Sequence, residues 1–319
     1  MLYILNIEYL KPVITISVVL TFIITLISLK YFSKYLPHDA GREFAVNGQL
    51  SKGKPRGSGI ILVIIFIVMT VLFVPFSTEF LIYSALLTAS MLSGFLDDRS
   101  KKSWNEYIKG IIDLFIAVTA SVTYVVYNPD SVGLIIFNNF IGLPNVVFVI
   151  LMTILIWASI NVTNCSDGVD GLCGSVSIIS FVTIYVMFIV NNQNQNYAHA
   201  VLLMISCILG YLWFNVSPSR LLMGDAGSRA IGFFIAVTIV KTGHPLLYFF
   251  IAFVLLVDGG LGLIKVSLLR FFKIRILKNI RTPVHDFIRK DKGWSDSQVV
   301  FRFTAVQILI SFLVLFIYK

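Results

Sequence analysis

Long apolar runs recur along almost the whole chain, at residues 10–32, 59–76, 79–96, 107–127, 144–163, 172–191, 197–216, 229–242, 246–270 and 301–318. A helix needs about 20 mostly apolar residues to cross the hydrocarbon core of a bilayer, with some latitude for tilt. The breaks between runs fall where Pro, Gly, Asn and charge cluster, which is where helices stop. The pattern predicts an all-α polytopic integral membrane protein with about ten transmembrane helices. Composition excludes the alternatives. Only 13% of the residues are Asp, Glu, Lys or Arg, against about 25% in a soluble domain, too few to cover a soluble globule. Disorder requires the opposite composition.

The span pattern shows no internal repeat and no separate soluble domain, so residues 1–319 read as one transmembrane domain. Cys165, Cys173 and Cys207 form no CxxC pair and read as small apolar fillers rather than a metal or disulfide framework. Met1 to Leu29 lacks a basic leader region and a small-residue cleavage site, so the first run is expected to be retained as a span. The net charge of +9 fits cytoplasmic loops beside anionic lipid and is not read as a nucleic-acid surface.

Ten spans put both termini on one side and gather loops 33–58, 97–106, 164–171, 217–228 and 271–300 on the other. Of the 25 Lys and Arg, all but Lys11, Lys241 and Lys319 lie in those loops or the span ends bordering them. The positive-inside rule then makes the five loops cytoplasmic and both termini extracytoplasmic. Of the 16 carboxylates, only Glu8, Glu79 and Asp130 fall on the outer side. Carboxylates have little weight in orientation, so their asymmetry has another cause. Either they balance the basic loops, or they build a site for metal and phosphate.

Four clusters bear on that choice. Asp97-Asp98-Arg99-Ser100-Lys101 ends the third span. Its carboxylates and lysines share a helix face at i,i+3 and i,i+4. Adjacent carboxylates suit a hard cation such as Mg²⁺, which takes one or two carboxylates plus substrate phosphates; Lys101, Lys102 and Lys109 are placed to hold phosphate oxygens. A solvated helix end explains the same string. Asn164-Cys165-Ser166-Asp167-Gly168-Val169-Asp170-Gly171 carries two Asp-Gly steps between spans, with Asn161 just upstream. Gly lets a ligand approach the backbone, and Asp accepts from imide or hydroxyl donors; a plain turn is the simpler alternative. Met223-Gly224-Asp225-Ala226-Gly227-Ser228 opens a helix, where metal or phosphate binding competes with ordinary capping. In the long basic loop His285 can meet a diphosphate or a metal, or lie solvated, and Trp294 can anchor at the membrane interface.

Asp258 stands mid-span beside Gly259, Gly260 and Gly262. An intramembrane carboxylate is costly and so paired or functional by default. Three close glycines weaken a helix. We therefore expect a broken ninth helix, with Asp258 bonded to freed backbone groups or to a cation.

Taken together, DDxxK, NxxDGxDGL, GDxGS and a late P-x-H loop, in this order between spans, resemble the polyprenyl-phosphate sugar-1-phosphate transferases. The closing PVHDFIRKDKGWSDSQVVFRF resembles their phospho-N-acetylmuramoyl-pentapeptide transferase family. The resemblance runs from about residue 50 to the end. It implies Mg²⁺-dependent transfer of phospho-MurNAc-pentapeptide from UDP-MurNAc-pentapeptide to undecaprenyl phosphate, giving lipid I and UMP. The setting would be the bacterial inner membrane, with the active site on the cytoplasmic side and a homodimer as the assembly. By the same resemblance the catalytic set is Asp97, Asp98, Asp225 and His285, with the metal on Asp225 and Asp97. The substrate-binding set is Lys52, Lys101, Lys109, Asn164, Asp167, Asp170 and Asn215, the last near the uridine. Two positions depart from the family: His285-Asp286-Phe287 stands where three histidines are usual, and Leu222 where a Phe stacks on uracil. The alternatives are a transferase using UDP-N-acetylglucosamine, which shares the first three motifs, and a membrane transporter.

Overall fold

The structure is a computed structural model that describes residues 10–41, 51–100, 104–136, 139–192, 194–277 and 280–317. Every predicted apolar run is helical. The helices are α1 (Leu10–Phe32), α2 (Gly59–Phe73), α3 (Thr78–Arg99), α4 (Glu106–Tyr127), α5 (Asn145–Cys165), α6 (Leu172–Val190), α7 (Gln195–Asn215), α8 (Gly224–Lys241), the short α9 (Tyr248–Ile251) and α10 (Phe253–Leu255), α11 (Leu261–Phe272), α12 (Val284–Lys292) and α13 (Asp296–Ile317). A two-stranded antiparallel hairpin, β1 (Gly133–Ile136) and β2 (Asn139–Gly142), joins α4 to α5.

Among the described residues seven helices are long and apolar enough to cross a membrane, or eight if the bent α9–α11 segment is one span. Two of the ten expected runs differ for separate reasons. Helix α2 has 15 residues, about 22 Å at 1.5 Å per residue, less than the thickness of a hydrocarbon core. Helix α8 carries Asp225, Arg229 and Lys241, and all of its residues from Gly224 to Lys241 are buried. It is the axis of the bundle rather than a lipid-facing wall.

The expected break in the ninth span is present, but not where the glycines predicted it. The segments Pro245–Ile251 and Phe253–Arg270 meet at 71°, with Ala252 (φ −110°, ψ 26°) at the corner. Leu256–Gly260 continues as a π-helical turn. The glycine beside Asp258 serves proximity instead: a Cβ on Gly259 would stand 2.2 Å from the Val162 carbonyl oxygen of α5.

Backbone lacing gathers the loops at one end. Arg56 N donates to Pro37 O at 2.8 Å, Leu222 N to Pro55 O at 2.8 Å, and Gly59 N to Met223 O at 3.0 Å. Glycine contacts close the helices on this end: a Cβ on Gly59 would lie 2.1 Å from Gly227 N, and one on Gly94 would lie 2.4 Å from the Asp225 carbonyl carbon. At the opposite end Glu79 and Lys241, two of the charges set apart in the sequence, pair with each other. Lys241 Nζ lies 3.1 and 3.0 Å from the Glu79 carboxylate oxygens and 2.8 Å from Asn128 Oδ1. The Tyr197 ring centroid is 5.0 Å from the same ammonium. The described cysteines are free, Cys173 and Cys207 buried and Cys165 partly so.

Candidate active site

Helix α3 ends on Asp97 and Asp98, adjacent residues whose side chains leave the helix in different directions. Asp97 accepts from Trp104 N at 2.6 Å and pairs with the Lys109 ammonium of α4. Asp98 accepts from Arg56 Nε at 2.9 Å and from Ala226 N at 3.3 Å. Asp225, in the first turn of α8, stands between the two cations. Arg56 Nη2 is 3.5 Å from one of its oxygens and Lys109 Nζ 3.6 Å from the other. Asn164 Nδ2, at the end of α5, lies 3.3 Å from Asp225 Oδ2. The charges therefore alternate, Asp97, Lys109, Asp225, Arg56, Asp98, and Asp39 closes the row at 3.1 Å from Arg56 Nη1. Burial pulls the Arg56 pKa down, and Asp98, Asp225 and Asp39 more than offset it, leaving the group above its ordinary value.

Gly224 makes this row possible. Its φ of +71° is open to glycine, and a Cβ there would meet Asp98 Oδ2 at 2.2 Å. Ser228, one turn on, has its hydroxyl oxygen 3.0 Å from Gly224 O and 2.8 Å from Asn164 Oδ1, and its single proton is directed to the nearer, Asn164 Oδ1. The Asn164 amide is thereby fixed with its NH₂ toward Asp225.

The double Asp-Gly loop is tied to the loop after α7. Asp170 accepts from Ser219 N at 2.9 Å, and Lys54 Nζ is 2.9 Å from Ser219 Oγ and 3.8 Å from Asp170. Asn215, buried, spends its amide on backbone: Oδ1 accepts from Gly171 N at 2.8 Å and Nδ2 donates to Leu221 O at 2.9 Å. In this structure Asn215 joins two loops. Asp167 is half-buried at the turn that follows α5.

The late loop folds into α12, and His285 is buried rather than solvated. Its backbone N–H donates to Asp258 Oδ1 at 2.8 Å, and its Nδ1 lies 2.8 Å from Asp258 Oδ2. The intramembrane carboxylate is thus paired with this histidine. The far edge of the ring abuts the Asp-Gly loop, where a Cβ on Gly168 would come within 2.3 Å of Nε2. Arg289 binds Asp296 at 2.8 Å through Nε. Trp294 is covered by the Arg302 guanidinium 3.9 Å from its ring centroid.

Asp97, Asp98, Asp225, Asn164 and Lys109 thus meet at one point, with Asp170, Asn215 and His285 in the loops around it. Lys101 and Lys102 lie outside the described residues. Lys52 is exposed, while Lys54, two residues on, reaches Asp170. Sequence reasoning missed Arg56, Lys54 and Asp39. The signal for two of them was the string Gly53-Lys54-Pro55-Arg56-Gly57, cations set between glycines on a loop that must lie flat against others. Among the described residues no three His, Cys, Asp or Glu side chains group closely enough to cage a metal. In this structure the Lys109 ammonium stands between Asp97 and Asp225, the two carboxylates that the resemblance assigns to Mg²⁺.

Residues 80–243 match the model of glycosyl transferase family 4. A phospho-N-acetylmuramoyl-pentapeptide-transferase of Treponema pallidum (strain Nichols) is 38% identical over 296 residues, covering 87% of this chain and 82% of the relative. Proteins of the same name from Dictyoglomus thermophilum (27% identical; 91% and 93% covered) and Kosmotoga olearia (29%; 82% and 82%) also align. The chain belongs to the phospho-N-acetylmuramoyl-pentapeptide-transferase family, within glycosyl transferase family 4.

Proposed function

We propose that this protein transfers phospho-MurNAc-pentapeptide from UDP-MurNAc-pentapeptide to undecaprenyl phosphate in peptidoglycan synthesis, giving lipid I and UMP. The observation that carries the reading is the alternating row of Asp97, Lys109, Asp225, Arg56 and Asp98. An oxygen of the acceptor phosphate attacks the phosphorus that bears the sugar. A new P–O–P bond forms, the old diphosphate bond breaks, and UMP leaves with the electron pair. Both reactants are anionic, so their approach requires cations already in place. Arg56 and Lys109 supply two, held in position by Asp39, Asp97, Asp98 and Asp225. Mg²⁺, carried by Asp225 and Asp97, would neutralise diphosphate charge at the same point. Lys54 and the Asp170 loop lie where a second part of the donor can be bound, and His285 backs that loop against Gly168.

A lipid acceptor accounts for a site at the end of a helical bundle, where a phosphate head can meet a water-borne donor. The reading includes ten membrane passages, with α2, α8 and the bent α9–α11 segment counted, both termini extracytoplasmic and the site cytoplasmic. The excess of Lys and Arg on the loops of that end supports this orientation. The test is UMP release by the purified protein with undecaprenyl phosphate and either UDP-MurNAc-pentapeptide or UDP-N-acetylglucosamine. Release with the first donor, lost on chelation and restored by MgCl₂, is expected. Release with the second donor alone overturns the reading.

A further inference from the structure

One helical turn beneath the site lies a second ion pair that the proposed reaction does not use. Arg229 of α8 bonds Asp113 of α4 through Nη2, and both residues are 1% exposed. Asn161 Nδ2 of α5 is 3.3 Å from the other Asp113 oxygen. The Trp157 indole of α5, one turn beyond Asn161, donates to Gly110 O of α4 at 3.1 Å.

The two levels are built from the same three helices. Lys109 and Asp113 are four apart on α4, Asp225 and Arg229 four apart on α8, and Asn164 and Asn161 three apart on α5, so each helix contributes one face. The upper level holds Lys109, Asp225 and Asn164; the lower holds Asp113, Arg229 and Asn161. The polarity inverts between them. Helix α4 gives a cation above and an anion below, and α8 gives the reverse. Sliding α4 one turn along α8, about 5.4 Å, sets Lys109 against Arg229 in one direction and Asp113 against Asp225 in the other. Both slips oppose like charges in a medium of low dielectric, where such contacts cost most. A buried ion pair is a poor source of net stability but a strong selector of register.

We infer that Asp113 and Arg229 are positioning residues: they fix the height of α4, which packs on α3 and α5, relative to α8 and so hold the Lys109 ammonium between Asp97 and Asp225. The inference rests on the proposed transfer reaction, for which Lys109 is one of the two cations.

The test compares single-turnover rate constants for UMP release from UDP-MurNAc-pentapeptide in wild type, the D113L/R229L double variant and Arg229→Lys. Removing both charges leaves neither one buried alone. A rate constant, unlike a steady-state rate, does not depend on the fraction of protein that is folded. The double variant is expected to be slower by at least about tenfold, the scale of a small displacement of a reacting group. Arg229→Lys, which keeps a cation opposite Asp113, is expected to recover part of that loss. An unchanged rate constant with reduced amplitude, or no amplitude at all, assigns the pair to stability alone and overturns the inference, as does Arg229→Lys no faster than the double variant. Absence of UMP release by wild type overturns the reaction instead, so the two failures are distinguishable.

Discussion

Asp258 accepts both the backbone N–H and the ring Nδ1–H of His285, each at 2.8 Å, across 27 residues of sequence. One carboxylate inside the bent span thereby fixes the start of α12 and the orientation of the ring it presents to Gly168. Burial lowers the His285 pKa, but Asp258, by charge and hydrogen bond, with Asp286 beyond it, raises it further, and the balance lies above the usual value. A histidine raised on folding stabilises the native state fully below its unfolded value, about 6.5. That contribution disappears as pH rises through the folded value. The thermal midpoint of wild type should therefore fall as pH rises above about 6.5, and Asp258→Asn should flatten that dependence. Equal slopes in thermal melts of the two proteins across this range would remove Asp258 as the cause.

Asp225→Asn tests the centre of the charge row. The amide keeps the shape of the side chain but not its charge, and Arg56 and Lys109 lose the group they share. Folding should survive, because both cations keep other carboxylates. Turnover should fall by at least about a hundredfold, the scale of losing one electrostatic group at a reacting centre. A folded variant with near-normal Mg²⁺-stimulated UMP release would take Asp225 out of the chemistry.

Arg56→Lys separates charge from geometry. Three carboxylates, Asp39, Asp98 and Asp225, share one guanidinium, and an ammonium cannot reach all three in fork geometry. Activity should be reduced in Arg56→Lys and lower still in Arg56→Ala. Steady-state kinetics on the two variants decides the order.

At the far end of the bundle, Glu79→Gln leaves Lys241 buried without its counter-charge. Breaking one side of such a pair costs about 3 kcal/mol or more. The expected result is a lower thermal midpoint, with turnover per folded molecule unchanged at temperatures where the variant is intact. A loss of turnover with no loss of stability would link this end to the site.

Much of this was legible in the residues. Apolar runs gave the helices, because a bilayer imposes one length scale and one backbone solution. Asp97, Asp98 and Asp225 could be singled out because they end one span and open another on the face where nearly all the cations also gather. Arg56 and Lys54 were not, since a cation in a basic loop looks the same whether solvated or clasped by three carboxylates; only the lacing of residues 55–59 to 222–223 distinguishes them. The bend at Ala252 was misplaced onto Gly259 because glycine marks both flexibility and close approach, and here the second use won. Asn215 carries an amide that suits a ligand or a backbone equally well, and in the structure it bonds Gly171 N and Leu221 O.

The full burial of α8 has a consequence for how the protein is made. A helix bearing Asp225, Arg229 and Lys241 is a poor candidate to partition into lipid by itself, since each charge at depth opposes insertion. Its counter-charges sit on α3 and α4, which are synthesised earlier. Entry of α8 into the bilayer should therefore depend on those helices waiting beside the translocation channel. The segment that carries the chemistry is also the one whose biogenesis is least autonomous.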